Sequence, residues 1–178
     1  MALITFHPSL DTLLTEWRDA LNQDFTAYHN HCYRVLNYFA ALSNRDDAES
    51  LDMAAIAVVF HDIGIWSHNT FDYLEPSSRL ATAWLLDHGL EDRIPEVNAM
   101  ILNHHKVTAC PDDPMAEAFR RADWTDVTQG LRRFGLPLKF VLEVMRTFPN
   151  AGFHLFLVKQ SAKQLRAHPL HPLPMFRW

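Results

Sequence analysis

Histidine and aspartate side chains recur in this chain at positions where helices should begin or end. His61 and Asp62 follow a run, Leu51 to Phe60, in which every residue except Asp52 is apolar. A helix made from that run has no wet face and belongs in the interior. An imidazole and a carboxylate at the end of a buried helix are costly to desolvate, and a bound metal ion is the usual compensation. His104 and His105 form a second adjacent pair. His31 stands three residues before Arg34, so both leave one helical face a turn apart. Asp123 lies in the word ADW. Imidazoles and carboxylates from separate helices, with no thiolate among them, suit a divalent ion such as Mn, Fe, Co, Ni, Mg or Zn.

The elements that must carry these residues read as helix after helix. Leu10, Leu13, Leu14, Trp17 and Leu21 recur by three and four, which predicts an amphipathic helix over Ser9 to Gln23. Tyr28 to Leu42 is the second, with Val35, Leu36, Phe39 and Leu42 inward. The polar connector NRDDAES follows, with Ser50 as the expected cap of the central helix and Gly64 as the positive-φ residue that closes it. Ile65 to Leu74 is an aromatic, polar loop expected to lie over the site, with Trp66 at its mouth. A fourth helix starts near Pro76 and stops at Gly89; a fifth starts at Pro95 and leads into His104 and His105. After the loop Val107 to Asp113, Asp113 and Pro114 open a sixth helix that ends at Gly130. Pro137 to Phe148 and Phe153 to Ala167 complete the set, and the tail HPLHPLPMFRW holds too many prolines for a helix. No stretch alternates as a strand does. The fold class expected is all-α, a compact multi-helix array in one domain over 1–178.

Composition narrows the function classes. The 178 residues, 48% hydrophobic and 21% charged, fit one domain with a substantial core. No apolar run approaches a membrane span, and no N-terminal segment resembles a signal peptide, so a soluble, cytoplasmic protein is expected. Two cysteines, Cys32 and Cys110, make neither a disulfide framework nor a CxxC metal motif. A formal charge of -5 with no long basic run gives no nucleic-acid surface. Monomer and homo-oligomer both stay open. The other histidines, among them His29, His68, His88 and His154, carry no ligand pattern.

The order His31, then His61 with Asp62, then Asp123 resembles the HD-domain metal-dependent phosphohydrolase superfamily. NHCYRVLNY matches its H-x-x-R-V pattern and VVFHDIGIW is similar to its doublet segment. The resemblance covers about Tyr28 to Asp126. It implies an all-helical domain in which His31, His61, Asp62 and Asp123 hold one metal, and a small phosphorylated substrate. In the HD-GYP subgroup a His-Pro begins the helix after the doublet and a His-His follows. Here Glu75-Pro76 stands for the first and His104-His105 matches the second, which implies a second ion on Glu75, His104 and His105. Ile65 replaces that subgroup's lysine after HDIG, and VTACPDDP lacks its Gly-Tyr-Pro signature. Asp62 is then the residue to take a proton from a metal-bound water, while His105, Lys106 and Arg34 balance phosphoryl charge. Other members of the superfamily are di-iron oxygenases or hydrate small nitriles such as cyanamide, and a metal-stabilised regulatory module is a further alternative.

Overall fold

The computed structural model describes residues 2–45 and 47–176. Its helices are α1 (Pro8–Glu16), α2 (Arg18–Leu21), α3 (Phe25–Ser43), α4 (Ala48–Phe60), α5 (Gly64–Ser67), α6 (Leu74–Asp87), α7 (Ile94–Asn103), α8 (Pro114–Val127), α9 (Leu138–Thr147) and α10 (Phe153–Ala167). Two short 3₁₀ turns link them, and no strand occurs among the described residues. The fold is all-α. None of these helices is long and apolar enough to cross a membrane.

Helix α4 packs against α1, α3, α6 and α7. It buries Ile56, Val58, Val59 and Phe60, all at most 3% exposed. Each such side chain contributes about 1.5–3 kcal/mol relative to exposure, so α4 is a firm anchor for the doublet at its end. The most extensive helix pair is α3 with α8. It brings the face of α3 that carries His31 and Arg34 against the face of α8 that carries Asp123.

Several boundaries differ from the sequence reading. The first helix breaks at Trp17 into α1 and α2 rather than running to Gln23. The cap of α4 is Asp47, not Ser50: its carboxylate accepts the Ser50 amide at 2.8 Å, and Ser50 itself is buried inside the helix. Asp113 caps α8 as expected, accepting from the Ala116 amide at 2.9 Å. Part of the loop after the doublet is helical, as α5.

Gly64 is needed for a reason other than φ. It opens α5 and is not among the positive-φ residues. A Cβ placed there would lie 2.8 Å from the Tyr73 carbonyl oxygen and 3.0 Å from Ser77 Oγ. The glycine therefore lets the start of α6 close directly onto the turn of the doublet. Gly64→Ala is expected to destabilise the protein by about 1–3 kcal/mol, as overpacking against backbone does, with urea denaturation as the measurement. An unchanged midpoint would show that this approach can relax freely.

The segment after α10 is not helical. It turns back so that Met175, 4% exposed, joins Ile65, Phe71, Tyr73 and Leu74 in a small apolar cluster separate from the main core. Phe176 lies beside His105 and Trp124, with ring centroids 5.5 and 5.8 Å away.

Candidate metal centre

Four segments meet at one buried point. Helix α3 supplies His31, the turn after α4 supplies His61 and Asp62, the turn after α7 supplies His104 and His105, and α8 supplies Asp123. Three overlapping sets of residues here could hold a metal ion: His31, His61 and Asp123; His61, Asp62 and His104; and His104, His105 and Asp123. In each, one ligand atom per residue lies within 4.8 Å of the others. His31 Nε2 is 3.0 Å from His61 Nε2. Asp62 meets His61 Nε2 through Oδ2 and His104 Nε2 through Oδ1, both at 3.4 Å. Asp123 Oδ1 is 3.8 Å from both His31 and His61, while Oδ2 is 3.5 Å from His105 Nδ1.

The surrounding hydrogen bonds decide which ring nitrogens can bind a cation. His61 Nδ1 lies 2.7 Å from the Val58 carbonyl and His104 Nδ1 lies 2.6 Å from that of Ile101. A carbonyl only accepts, so both Nδ1 atoms carry hydrogen and donate it. His31 Nδ1 lies 2.7 Å from Asp126 Oδ2 and donates in the same way. Three Nε2 atoms are thereby turned toward the cluster, held by the outer contacts that fix ligand imidazoles in metal sites. Two such nitrogens 3.0 Å apart repel unless a proton or a cation lies between them. His104 Nε2, Asp62 Oδ1 and both oxygens of Asp123 have no hydrogen-bond partner in this buried setting. An ion would satisfy all of them together.

Charge balance points the same way. Burial lowers the His31 pKa to about 4, with Asp126 opposing it. Burial would also lower that of His61, but the Asp62 charge outweighs it and pushes the value up to about 9. Burial, with the Asp62 and Asp126 charges adding, raises the Asp123 carboxyl well above the usual range against the opposing His61. Both shifts favour the protonated forms of His61 and Asp123, and a cation would compete with those protons.

Six of the seven expected ligands are gathered here, and Glu75 is not. Helix α6 begins at Leu74 and buries Leu74, Ser77, Ser78, Ala81 and Leu85. Glu75 falls off that stripe, is exposed, and belongs to none of the three sets. The position it was expected to take beside His105 is held by Tyr73, whose hydroxyl lies 2.7 Å from His105 Nε2.

Of the residues expected to balance phosphoryl charge, His105 lies at the cluster and Arg34 is engaged by Asp126. Arg34 is 1% exposed and faces Asp126, with Nη2 2.8 Å from Oδ2 and Nη1 3.0 Å from the Phe148 carbonyl. It grips the same carboxylate that His31 Nδ1 donates to. Lys106 is half-buried, its charge lies near Cys110, and its carbonyl accepts from Arg120. Arg120 and Arg121 both hold Glu117. Trp66 is part of an outer wall, stacked on Phe156 and donating to Asp24.

Asp126 and Tyr73 were not expected at the site from the sequence. Asp126 carried a signal: Asp123-x-x-Asp126 on α8 repeats the three-residue spacing of His31-x-x-Arg34 on the facing helix. Tyr73 carried none, because its place depends on the path of a loop. No protein-family model, curated protein or solved structure matches the chain.

Proposed function

We propose that this chain is a metal-dependent hydrolase of phosphate esters, of the HD-domain kind that its sequence resembles. The observation that supports this reading most is the convergence of three Nε2 atoms and two carboxylates on one buried point, with the hydrogens of those imidazoles drawn off by Asp126, Val58 and Ile101. His31, His61, Asp62 and Asp123 would hold a first divalent ion. His104 and His105 with Asp123 would hold a second, with Asp123 serving both. The donor set lacks thiolate and fits Mn, Fe, Co, Ni, Mg or Zn. Such ions supply a coordinated water of lowered pKa and neutralise charge on a phosphoryl group.

The chain's own residues then have separate tasks. Asp62 presents its two oxygens to different histidines, so one can ligate while the other accepts the water's proton. Asp126, gripped by Arg34, fixes the hydrogen of His31 on Nδ1. The apolar cluster of Ile65, Phe71, Tyr73, Leu74 and Met175 lies against His105 through Tyr73 and keeps bulk water away.

The test is a screen of purified protein, loaded in turn with Mn, Co, Ni, Fe, Zn and Mg, against nucleotides, phosphomonoesters and phosphodiesters. Hydrolysis that a chelator abolishes and metal restores is the expected result. A metal-bound protein inactive on every phosphate ester would overturn the reading, and oxygen consumption by the iron form would then point to oxygenase chemistry.

A further inference from the structure

We propose that the tail after α10, residues 169–176, is an autoinhibitory plug that must lift before a substrate reaches the cluster, an inference that rests on the hydrolase reading above. His31, His61 and His104 are fully buried, and Asp62 and Asp123 are 3% and 1% exposed. Among these ligands His105 alone shows solvent a measurable part of its side chain, 12%. The approach left to a solute is therefore at His105. Over it lies the Phe176 ring, 5.5 Å away between centroids, with Trp124 on the other side of Phe176 at 5.8 Å.

The walls around this approach differ in how firmly they are held. Asp123 and His31 stand on α8 and α3, the most extensive helix pair. The loop after the doublet is pinned by the Gly64 amide, which donates to Ser77 Oγ at 3.0 Å, and by Trp66, stacked on Phe156. The tail has no such ties. Pro169, Pro172 and Pro174 offer no amide hydrogen. Among the described residues its backbone hydrogen bonds run from His171 to His168 and from Phe176 to Leu173, so none joins it to another wall of the site. Gln164 of α10 reaches the His171 carbonyl only at 3.5 Å. Leu170 and Leu173 are 89% and 41% exposed, which leaves Met175 and Phe176 as the anchors. Met175 packs in the small cluster and not in the main core. A segment held by two side chains belongs to the low end of local stability, where opening leaves the rest of the fold intact.

Two measurements on the full chain test the plug. In Met175→Cys the introduced thiol should react with dithiobis(nitrobenzoate) more slowly than that of Leu170→Cys by about tenfold or more, at a rate that low urea leaves unchanged. The buried Cys32 and Cys110 of the parent give the background. Equal rates would overturn the proposal, because the tail is then never closed. A rate that climbs with urea in step with global unfolding would do the same, because the tail then never lifts alone. In the metal-loaded enzyme, Met175→Ala with Phe176→Ala should raise kcat/KM by about tenfold at unchanged metal content, since a closed tail lowers the competent fraction and with it the apparent affinity. Leu170→Ser should change nothing. A kcat/KM within about twofold of the parent in the double variant would sink the plug, and so would a fall, which would make the tail a part of the working site. If the parent hydrolyses no phosphate ester, the hydrolase reading fails, and the thiol rates still decide whether the tail opens on its own.

Discussion

Asp123→Asn is expected to raise the stability of the metal-free protein while abolishing most of its stabilisation by divalent ions. Asp123 is 1% exposed, both of its oxygens lack a hydrogen-bond partner, and the Asp62 and Asp126 carboxylates crowd it. Its folded pKa is raised, so the folded state holds a proton that the unfolded state has released. That contribution falls as pH rises above the unfolded value near 4 and is a net cost at neutral pH. Asparagine removes the cost and keeps the shape. It also removes the charge shared by two of the three ligand sets. With an ion at 100 times its Kd the parent should gain about 2.7 kcal/mol, and the variant only a small fraction of that. Melting temperatures with and without Mn or Zn, beside elemental analysis, make the comparison. A metal-free variant less stable than the parent, with an intact response to metal, would make Asp123 a packing residue.

The second large effect is expected at Asp126. Burial alone would raise its pKa, but the Arg34 charge outweighs that and, with the His31 hydrogen bond, holds the carboxyl well below its usual range. Asp126→Ala leaves the Arg34 guanidinium buried with only the Phe148 and Pro149 carbonyls to accept from it. Removing one partner of such a pair costs about 3–5 kcal/mol. It also frees the His31 ring, and loss of an outer partner typically weakens metal binding about 10–100-fold. A depressed carboxyl contributes its stability above the unfolded pKa near 4 and loses it as pH falls from there. The double change Arg34→Met with Asp126→Leu should therefore cost less than Asp126→Ala and flatten the acid limb of the stability curve. Urea midpoints at pH 7 and pH 3.5 test both statements; a loss under about 1 kcal/mol for Asp126→Ala would mean that water or a shifted backbone compensates Arg34.

Much of this arrangement was legible in the residues. An all-apolar run ending in His61-Asp62 can only be an interior helix with a costly end. Prolines 95 and 114, Asp113 and Gly89 mark helix boundaries through local chemistry that needs no tertiary knowledge. What failed depended on which way a side chain faces. Glu75 and Tyr73 are two residues apart, and α6 begins near Pro76 as expected, but the face it buries takes in Leu74, Ser77 and Ser78 and leaves Glu75 exposed, while Tyr73 before it is buried. Arg34 reads equally well as a phosphate ligand or a buried partner until the helix opposite is known. Asp126 had its signal in the Asp123-x-x-Asp126 spacing, but its partners, His31 and Arg34, were fixed only by α3 and α8 lying face to face.

The apolar roof over the cluster has a consequence for time rather than for affinity. An ion held by ligands that are 0–4% exposed, His105 apart, would trade with solvent slowly while Met175 and its neighbours stay packed. Exchange then waits on local opening, and the Irving–Williams ranking of metals governs occupancy only over periods longer than that wait. The metal content of a purified sample would then lean toward the ions present while its chains folded.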